Sequence, residues 1–233
     1  QIEEFNYNPM STDVAFTSHA HINVLHIRGE QTLTTLPVVQ GVNEIYIAST
    51  YTGIDISCIQ NNYSCIVLPI TISVVEGKMQ EDIVIENLEL YAPSQQMLSS
   101  GYIASVAPIL KQANVLTFGE NILGLTDAST DDATFETLFT SPDSTVKLHT
   151  VIFGEQFATL GANAFGKKVA DEMAFVGMEN LTSVVFNNAF ASVGDAAFAG
   201  CVNAKFYYQE IDNLTELTIP GLTTVGAYAF AQC

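Results

Sequence analysis

The feature of this sequence that most constrains its fold is a short pattern, Gly-x-x-Ala-Phe, that occurs three times near the C-terminus. The copies begin at Gly161, Gly194 and Gly226, so they are 33 and 32 residues apart. The apolar residues before each glycine fall into register when the glycines are aligned. Self-similarity at a period of about 20 to 50 residues is typical of solenoids, in which each repeat forms one coil.

Short apolar alternations extend this repeat toward the N-terminus. Two apolar residues separated by one other residue form the pattern of a half-buried strand. The eight predicted inward pairs are Leu25 with Ile27, Ile45 with Ile47, Ile66 with Leu68, Leu88 with Leu90, Leu116 with Phe118, Val151 with Phe153, Val184 with Phe186, and Leu217 with Ile219. The spacing predicts about eight units, compact to about residue 113 and lengthened by insertions after it.

Each part of the Gly-x-x-Ala-Phe pattern has a predicted role. The chain turns at each glycine, and the alanine lets neighbouring coils approach. The phenylalanines Phe165, Phe198 and Phe230 then fill the space between coils as one column. Because no coil can bury its own apolar face, stability is expected to come from contacts between neighbouring coils.

The two ends of the chain differ from the repeat. Residues 1–20 lack the alternation and are predicted to form an N-terminal cap or tail, which leaves 21–233 as the solenoid. No polar capping unit follows Cys233. We therefore expect either a chain cut short or an end covered by another subunit.

Composition excludes several classes of partner. Twenty-five acidic residues oppose 7 lysines and arginines, and a net charge of −18 would repel nucleic-acid phosphates. No uninterrupted apolar run of about 18 residues occurs, so this region is not expected to insert into a membrane. The four cysteines lack the paired spacing of a zinc site and are too few for a disulfide scaffold, so buried thiols are expected.

The segments "NLTSVVF…VGDAAFAGC" (180–201) and "NLTELTIPGLTTVGAYAFAQC" (213–233) resemble the BspA-like leucine-rich repeat proteins of bacterial cell surfaces. The resemblance implies an α/β fold, a right-handed leucine-rich repeat solenoid with a concave parallel sheet of short strands. It also implies an extracellular or surface-anchored adhesion protein that binds a host or cell-surface protein or glycan. It brings no catalytic residues and no cofactor.

A candidate binding surface follows from the strand alternation, because side chains between the inward pairs point to the opposite face. The candidate residues on this concave face are Tyr46, Val67, Glu89, Tyr91, Ile152, Val185 and Asn187. A strip this rich in tyrosine and aliphatic residues is typical of a binding site. The alternative is that the N-terminal segment or a second copy of the chain covers it, which would make the strip an oligomer interface.

Two groups of possible metal ligands are present. An acidic insertion contains Asp127, Asp131, Asp132 and Glu136. A histidine cluster contains His19, His21 and His26. The first lacks the glycine and glutamate spacing of an EF-hand loop, and the second lacks an evident third ligand. A solvated loop is the favoured interpretation of the insertion, and no metal site is predicted.

The sequence also contains Ser144-x-x-Lys147, the nucleophile motif of penicillin-recognising serine enzymes. Its companion motifs are absent, as are the P-loop and the common hydrolase signatures. The sequence therefore predicts non-catalytic recognition, with a metal-dependent enzyme as the least favoured alternative.

Overall fold

A computed structural model of the chain describes residues 2–7, 22–34, 36, 42–128, 135, 146–169, 173–208 and 218–233. Within these ranges the chain forms a long parallel sheet of short strands, with a second layer of shorter strands behind it. The predicted leucine-rich repeat solenoid is confirmed.

The long sheet takes one strand from each successive coil. Its strands, in both sheet order and chain order, are β1 (Ile2–Tyr7), β2 (Ile22–Ile27), β4 (Glu44–Ile47), β6 (Tyr63–Pro69), β8 (Ile85–Tyr91), β10 (Ala113–Phe118), β12 (Thr150–Phe153), β16 (Ser183–Phe186) and β18 (Lys205–Tyr208). Every neighbouring pair in this sheet is parallel. A stack of coils produces this order because each new coil places its strand beside the strand of the coil before it.

The predicted register of the first seven strands is confirmed. The residues between the inward pairs lie side by side across the sheet: His26, Tyr46, Val67, Glu89, Thr117, Ile152 and Val185. The inward pairs on either side of them are all buried. A slip of one residue would have moved each inward pair to the other face, so the apolar pattern fixes the register.

The predicted eighth strand is wrong. Val185 pairs with Tyr207 on β18, which belongs to the insertion before the expected strand. Phe206 and Tyr208 supply the same alternation and pack against the core, so the insertion itself provides the strand. Thr218 lies outside the sheet, and Leu217 lies outside the described residues.

One strand was not predicted. β1 pairs with β2 along its whole length, and Phe5 and Tyr7 pack against the core while Glu3 and Glu4 are exposed. This strand adds a ninth member at the edge of the sheet. The assignment of 1–20 as a cap or tail stays a prediction, because 8–21 lie outside the described residues.

The second layer, behind the long sheet, consists mainly of short strands. The first sheet of this layer contains β3 (Gln31–Leu33), β5 (Tyr51–Asp55) and β7 (Val74–Glu76). The second contains β9 (Gln96–Leu98), β11 (Ile122–Leu125), β13 (Thr159–Leu160), β17 (Ser192–Val193) and β19 (Thr224–Val225). A 3₁₀ turn at Ile56–Cys58 follows β5.

The helix α1 (Ser100–Leu110) lies where one second-layer sheet gives way to the other. It follows β9 and packs against β7 and β10. The Ser99 side chain caps its first turn by accepting a hydrogen bond from the Tyr102 amide at 3.2 Å. A separate antiparallel hairpin, β14 (Gly166–Lys168) with β15 (Phe175–Gly177), forms from the insertion after Phe165.

The core filling changes along the stack. The early coils bury isoleucine and leucine, such as Ile27, Ile47 and Leu68, each at most 1% exposed. The later coils bury stacked phenylalanine rings on the inner face of the long sheet. Phe153 lies 5.7 Å from Phe118 and 5.6 Å from Phe186, between ring centroids.

The phenylalanines of the repeated pattern form a column. Ring centroids are 5.2 Å apart between Phe165 and Phe198 and 5.4 Å apart between Phe198 and Phe230, with near-parallel planes. The column also includes Phe135, at 4.4 Å from Phe165, which the sequence analysis missed because its segment has Ala-x-Phe in place of Ala-Phe. Backbone hydrogen bonds run alongside, for example from the Phe198 amide to the Ala229 carbonyl at 2.8 Å.

The glycines of the pattern allow close approach of coils rather than a turn. A Cβ added at Gly194 would lie 2.6 Å from the backbone carbon of Gly161, and one at Gly226 would lie 2.5 Å from that of Gly194. The left-handed backbone conformation occurs two residues later, where Ala196 has a φ of 52°. The equivalent residues in the neighbouring coils, Asn163 and Tyr228, adopt it too.

All four cysteines are free thiols: Cys58 and Cys201 are buried, Cys65 is half-buried and Cys233 is exposed. Cys201 donates to the Phe165 carbonyl at 3.5 Å, and Cys233 donates to the Phe198 carbonyl at 3.1 Å. Burial raises the pKa of Cys201 to about 12, with Cys233 adding to the effect. The expectation of buried thiols is wrong for Cys233.

Candidate functional site

The candidate site is the outer face of the long sheet, the face opposite the core. Tyr46, Val67 and Glu89 lie side by side on β4, β6 and β8. Val67 and Tyr91 are buried but do not belong to the main core, which places them in a separate cluster on this outer face. The outer face therefore has an apolar cluster of its own.

An aromatic patch, defined here as His26, Tyr46, Val67 and Tyr91, occupies the outer face of β2 to β8. The ring centroids of His26 and Tyr46 are 5.2 Å apart, and those of Tyr46 and Tyr91 are 4.8 Å apart. His26 is also 3.7 Å from the Glu4 carboxylate, between Nε2 and Oε2. Aromatic pairs at these separations are mutually stabilising.

Tyr91 is held rigidly within this patch. Its hydroxyl donates a hydrogen bond to the Ile47 carbonyl at 2.7 Å, two strands away, and Tyr91 itself pairs in register with Pro69 on the strand between. The Tyr91 side chain therefore spans β6. Burial, followed by the contact with Tyr46, raises the pKa of the Tyr91 hydroxyl, so it remains a neutral donor.

Glu89 lies at the border of the aromatic patch. Its side chain rests against Gly119, where an added Cβ would be 2.7 Å from the Glu89 Cγ. Burial, followed by the negative charges of Glu44 and Glu120, raises the pKa of Glu89 above its ordinary value. In the described part of the chain, no lysine or arginine forms an ion pair with any of these three carboxylates.

A chain of polar contacts runs beside Glu89. Thr117 donates through Oγ1 to the Asn87 Oδ1 at 2.9 Å, and the Asn87 amide approaches the Cys65 sulfur at 3.6 Å. Burial, followed by Glu44 and Glu89, raises the pKa of the Cys65 thiol to about 12. The thiol is therefore protonated at neutral pH and is a poor nucleophile.

The outer face beyond β10 carries Ile152 and Val185, which are half-buried neighbours. Tyr207 on β18 pairs with Val185 and is also half-buried on this face. Asn187 is buried, and its amide donates to carbonyls of the preceding coil, including that of Phe157 at 2.9 Å. The amide of Asn187 therefore holds two coils together, which corrects the expectation that this side chain faces a ligand.

The structure brings together four of the seven predicted residues: Tyr46, Val67, Glu89 and Tyr91. Two of these, Val67 and Tyr91, are covered by their neighbours, 5% and 6% exposed, so Tyr46 and Glu89 form the accessible part. Glu44 and Glu120 were not among the predicted residues. Glu44 lies two residues before Tyr46, so the same strand alternation could have placed it on the outer face.

The alternative sites find little support among the described residues. Asp127 accepts a hydrogen bond from the Ala162 amide at 2.7 Å, which joins two coils, whereas Asp131, Asp132 and Glu136 lie outside those residues. His19, His21 and Ser144 lie outside them as well. Lys147 donates to the Ile83 carbonyl at 2.6 Å. No cluster of three metal-ligating side chains occurs within the described ranges.

Comparison with known proteins identifies the repeat. The model of the family described as "BspA type Leucine rich repeat region (6 copies)" matches residues 167–207 and 202–233. Residues 167–233 are therefore similar to BspA-type leucine-rich repeats. Repeats of this class take part in protein interactions and are typically non-catalytic. No curated protein matches the chain.

Two solved structures are similar to this chain at low identity. The pneumococcal vaccine antigen PcpA is 9% identical, with 99% of this chain and 76% of that chain covered and a TM-score of 0.23. A leucine-rich repeat protein from Eubacterium ventriosum is 12% identical, with 91% and 82% covered and a TM-score of 0.22. In the described part of the chain, no helix has the length and apolarity needed to cross a membrane.

Proposed function

We propose that this protein is a non-catalytic recognition protein that acts outside the cell or at its surface, binding a protein or glycan on the outer face of the long sheet. The observation that carries the proposal is the aromatic patch centred on Tyr46. Tyrosine-rich clusters on a protein surface are typical of interaction sites, and tyrosine is enriched among the residues that dominate binding energy.

The patch has the properties of a preorganised surface. Tyr91 is fixed by its hydrogen bond to the Ile47 carbonyl, and it supports the Tyr46 ring from the side. Tyr46 is half-buried, so part of its ring is available to a partner. A side chain that is already immobile loses little conformational entropy on binding, which favours affinity.

The absence of catalysis is supported by the chemistry of the described side chains. Burial is the first cause of a raised pKa in Cys58, Cys65 and Cys201, so these thiols are protonated at neutral pH. Lys147 is committed to backbone carbonyls. The BspA-type repeats and the resemblance to bacterial surface proteins support a location at the cell surface.

The test is binding to an array of glycans and extracellular-matrix proteins, with the wild type compared with Tyr46→Ser. We expect the substitution to reduce the bound signal by about tenfold or more, as loss of a central tyrosine does at other interfaces. The control is Tyr228→Ser, which removes an exposed tyrosine near the C-terminus. Binding unchanged by Tyr46→Ser would contradict the proposal.

Sedimentation distinguishes ligand binding from self-association. If Tyr46→Ser abolishes a concentration-dependent dimer of the wild type, the aromatic patch is an interface between copies of the chain. We expect the wild type to sediment as one species that does not depend on concentration.

A further inference from the structure

The carboxylates beside the aromatic patch lack partners of opposite charge. Glu44, Glu89 and Glu120 act on one another, or on Tyr91, strongly enough to raise pKa values. Of the basic side chains on this face, Arg28 donates to the Asn6 side chain at 2.7 Å, and Lys205 lies at the far end of the sheet on β18. Among the described residues, this part of the outer face supplies tyrosines and negative charge, and no lysine or arginine pairs with the three carboxylates.

The surroundings of the Glu89 side chain differ on its two sides. This side chain rests against the Gly119 backbone on one side, and Tyr46 and Tyr91 lie in the direction of β4. Tyr46 and Glu89 lie in one row on the outer face, two strands apart with Val67 between them. An ammonium or guanidinium group over Val67 would therefore have a tyrosine ring on one side and a carboxylate on the other. The ring attracts the cation through its quadrupole, and the carboxylate pairs with it.

The charged form of Glu89 also lowers the stability of the folded protein, and the packing does not require it. Its raised pKa means that its charged form is destabilised in the folded protein, and neutral glutamine would fit the same space. Residues that lower stability without a packing role are typical of functional sites. A bound cation would offset this cost.

We infer that the partner is a protein that places a basic, extended segment on the outer face, with a lysine or arginine side chain held between Tyr46 and Glu89. This inference rests on the proposed function and narrows its partner to polypeptide. Ile152 and Val185, which are half-buried on the same face, offer apolar contacts to neighbouring residues of the same segment. The charge of −18 on the whole chain also accelerates encounter with a basic partner.

The experiment uses an array of random peptides of about twelve residues, probed with the wild type and with Tyr46→Ser. Peptides whose signal depends on Tyr46 are expected to be enriched in lysine and arginine relative to the whole array. The strongest peptides are then titrated by fluorescence anisotropy, together with analogues in which norleucine replaces lysine. We expect the analogues to bind about tenfold more weakly, as for loss of a charge-assisted contact.

Variants of the protein locate the contact. Glu89→Gln is expected to weaken binding of the basic peptides about five- to tenfold. Glu44→Gln is expected to weaken it by a smaller factor. The matched control is Glu76→Gln, an exposed carboxylate on the second layer at β7, which should leave binding unchanged. Raising the salt from about 50 mM to about 300 mM should weaken wild-type binding more than Glu89→Gln binding.

The outcomes separate this inference from the proposed function. Tyr46-dependent peptides or glycans without enrichment in basic groups would overturn the basic partner and leave outer-face recognition standing. Equal affinity of wild type and Glu89→Gln for the basic peptides would also overturn it. If binding is independent of Tyr46 on the glycan–matrix array and on the peptide array, the basic partner and outer-face recognition are both overturned.

Discussion

The coils before α1 and the coils after it fill their interiors with different types of residue. From Ile22 to Leu98 the interior is filled by isoleucine and leucine, whereas from Ala113 onward it is filled by stacked phenylalanine rings. The early coils are 20–22 residues long and the late ones are close to 33. The late coils therefore fill the space between neighbouring coils with single large rings, whereas the early coils fill it with smaller aliphatic side chains.

The outer face differs between the same two regions. The early strands carry the aromatic patch and the unpaired carboxylates, whereas the later strands carry Ile152, Val185 and a single tyrosine, Tyr207. The region with the simpler core therefore carries the more elaborate surface. The side chains that fill the core and those that line the outer face can therefore vary independently along one solenoid, because each coil contacts only its neighbours.

The largest expected effect is on the aromatic core. Phe198→Ala should lower the free energy of unfolding by about 3–5 kcal/mol, because the ring is fully buried and stacks on both neighbours of its column. Ile47→Val in an early coil should cost only about 0.5–1.5 kcal/mol. Denaturant titration measures both, and a loss below about 1 kcal/mol for Phe198→Ala would contradict the stacked column of rings.

The close contact between late coils gives the next largest effect. Gly194→Ala should lower the free energy of unfolding by about 1–3 kcal/mol, since the new methyl group meets the backbone of the preceding coil. The control, Gly101→Ala in the first turn of α1, meets only the Ser99 Oγ at 3.8 Å and should be neutral or slightly stabilising. A harmless Gly194→Ala would show that the coils are not in close contact there.

A smaller effect of opposite sign is expected two residues later. Ala196→Gly should raise the free energy of unfolding by up to about 1 kcal/mol, because glycine adopts a positive φ without the steric cost that alanine has. Ala197→Gly, at a neighbouring buried position without a positive φ, should be destabilising. The same sign for both variants would contradict the conformation described for this turn.

The smallest effect concerns the outer face of the early coils. The pKa of Glu89 is raised in the folded protein, so the stabilising contribution of this group is complete below the ordinary carboxyl pKa and is lost as the pH rises through the folded value. Glu89→Gln should therefore stabilise the protein at neutral pH by less than about 1 kcal/mol after allowance for solvent screening. Thermal melts across the acidic range should show the gain vanish at low pH.

The sequence was sufficient for the parts of the fold that depend on alternation. Leu25 and Ile27, or Val184 and Phe186, predict an inward pair wherever a strand lies over the core. The eighth strand was misplaced because both Phe206 with Tyr208 and Leu217 with Ile219 fit that pattern, and only the pairing with β16 decides between them.

The candidate site was predictable in position but not in detail. Alternation placed Tyr46 and Glu89 on the outer face. It could not show that Tyr91 spans a neighbouring strand to the Ile47 carbonyl, because that contact depends on side-chain conformation. The roles of Asn187 and the pattern glycines depend on the distance between coils, which no single repeat contains.

The central claim is that each coil is stabilised only by its neighbours. Hydrogen exchange measured by mass spectrometry on the wild type and on Phe198→Ala tests this claim most directly. We predict faster amide exchange in β12, β16 and β18, which flank the substitution, and unchanged exchange in β2, β4 and β6. Equal loss of protection across all six strands would contradict the account.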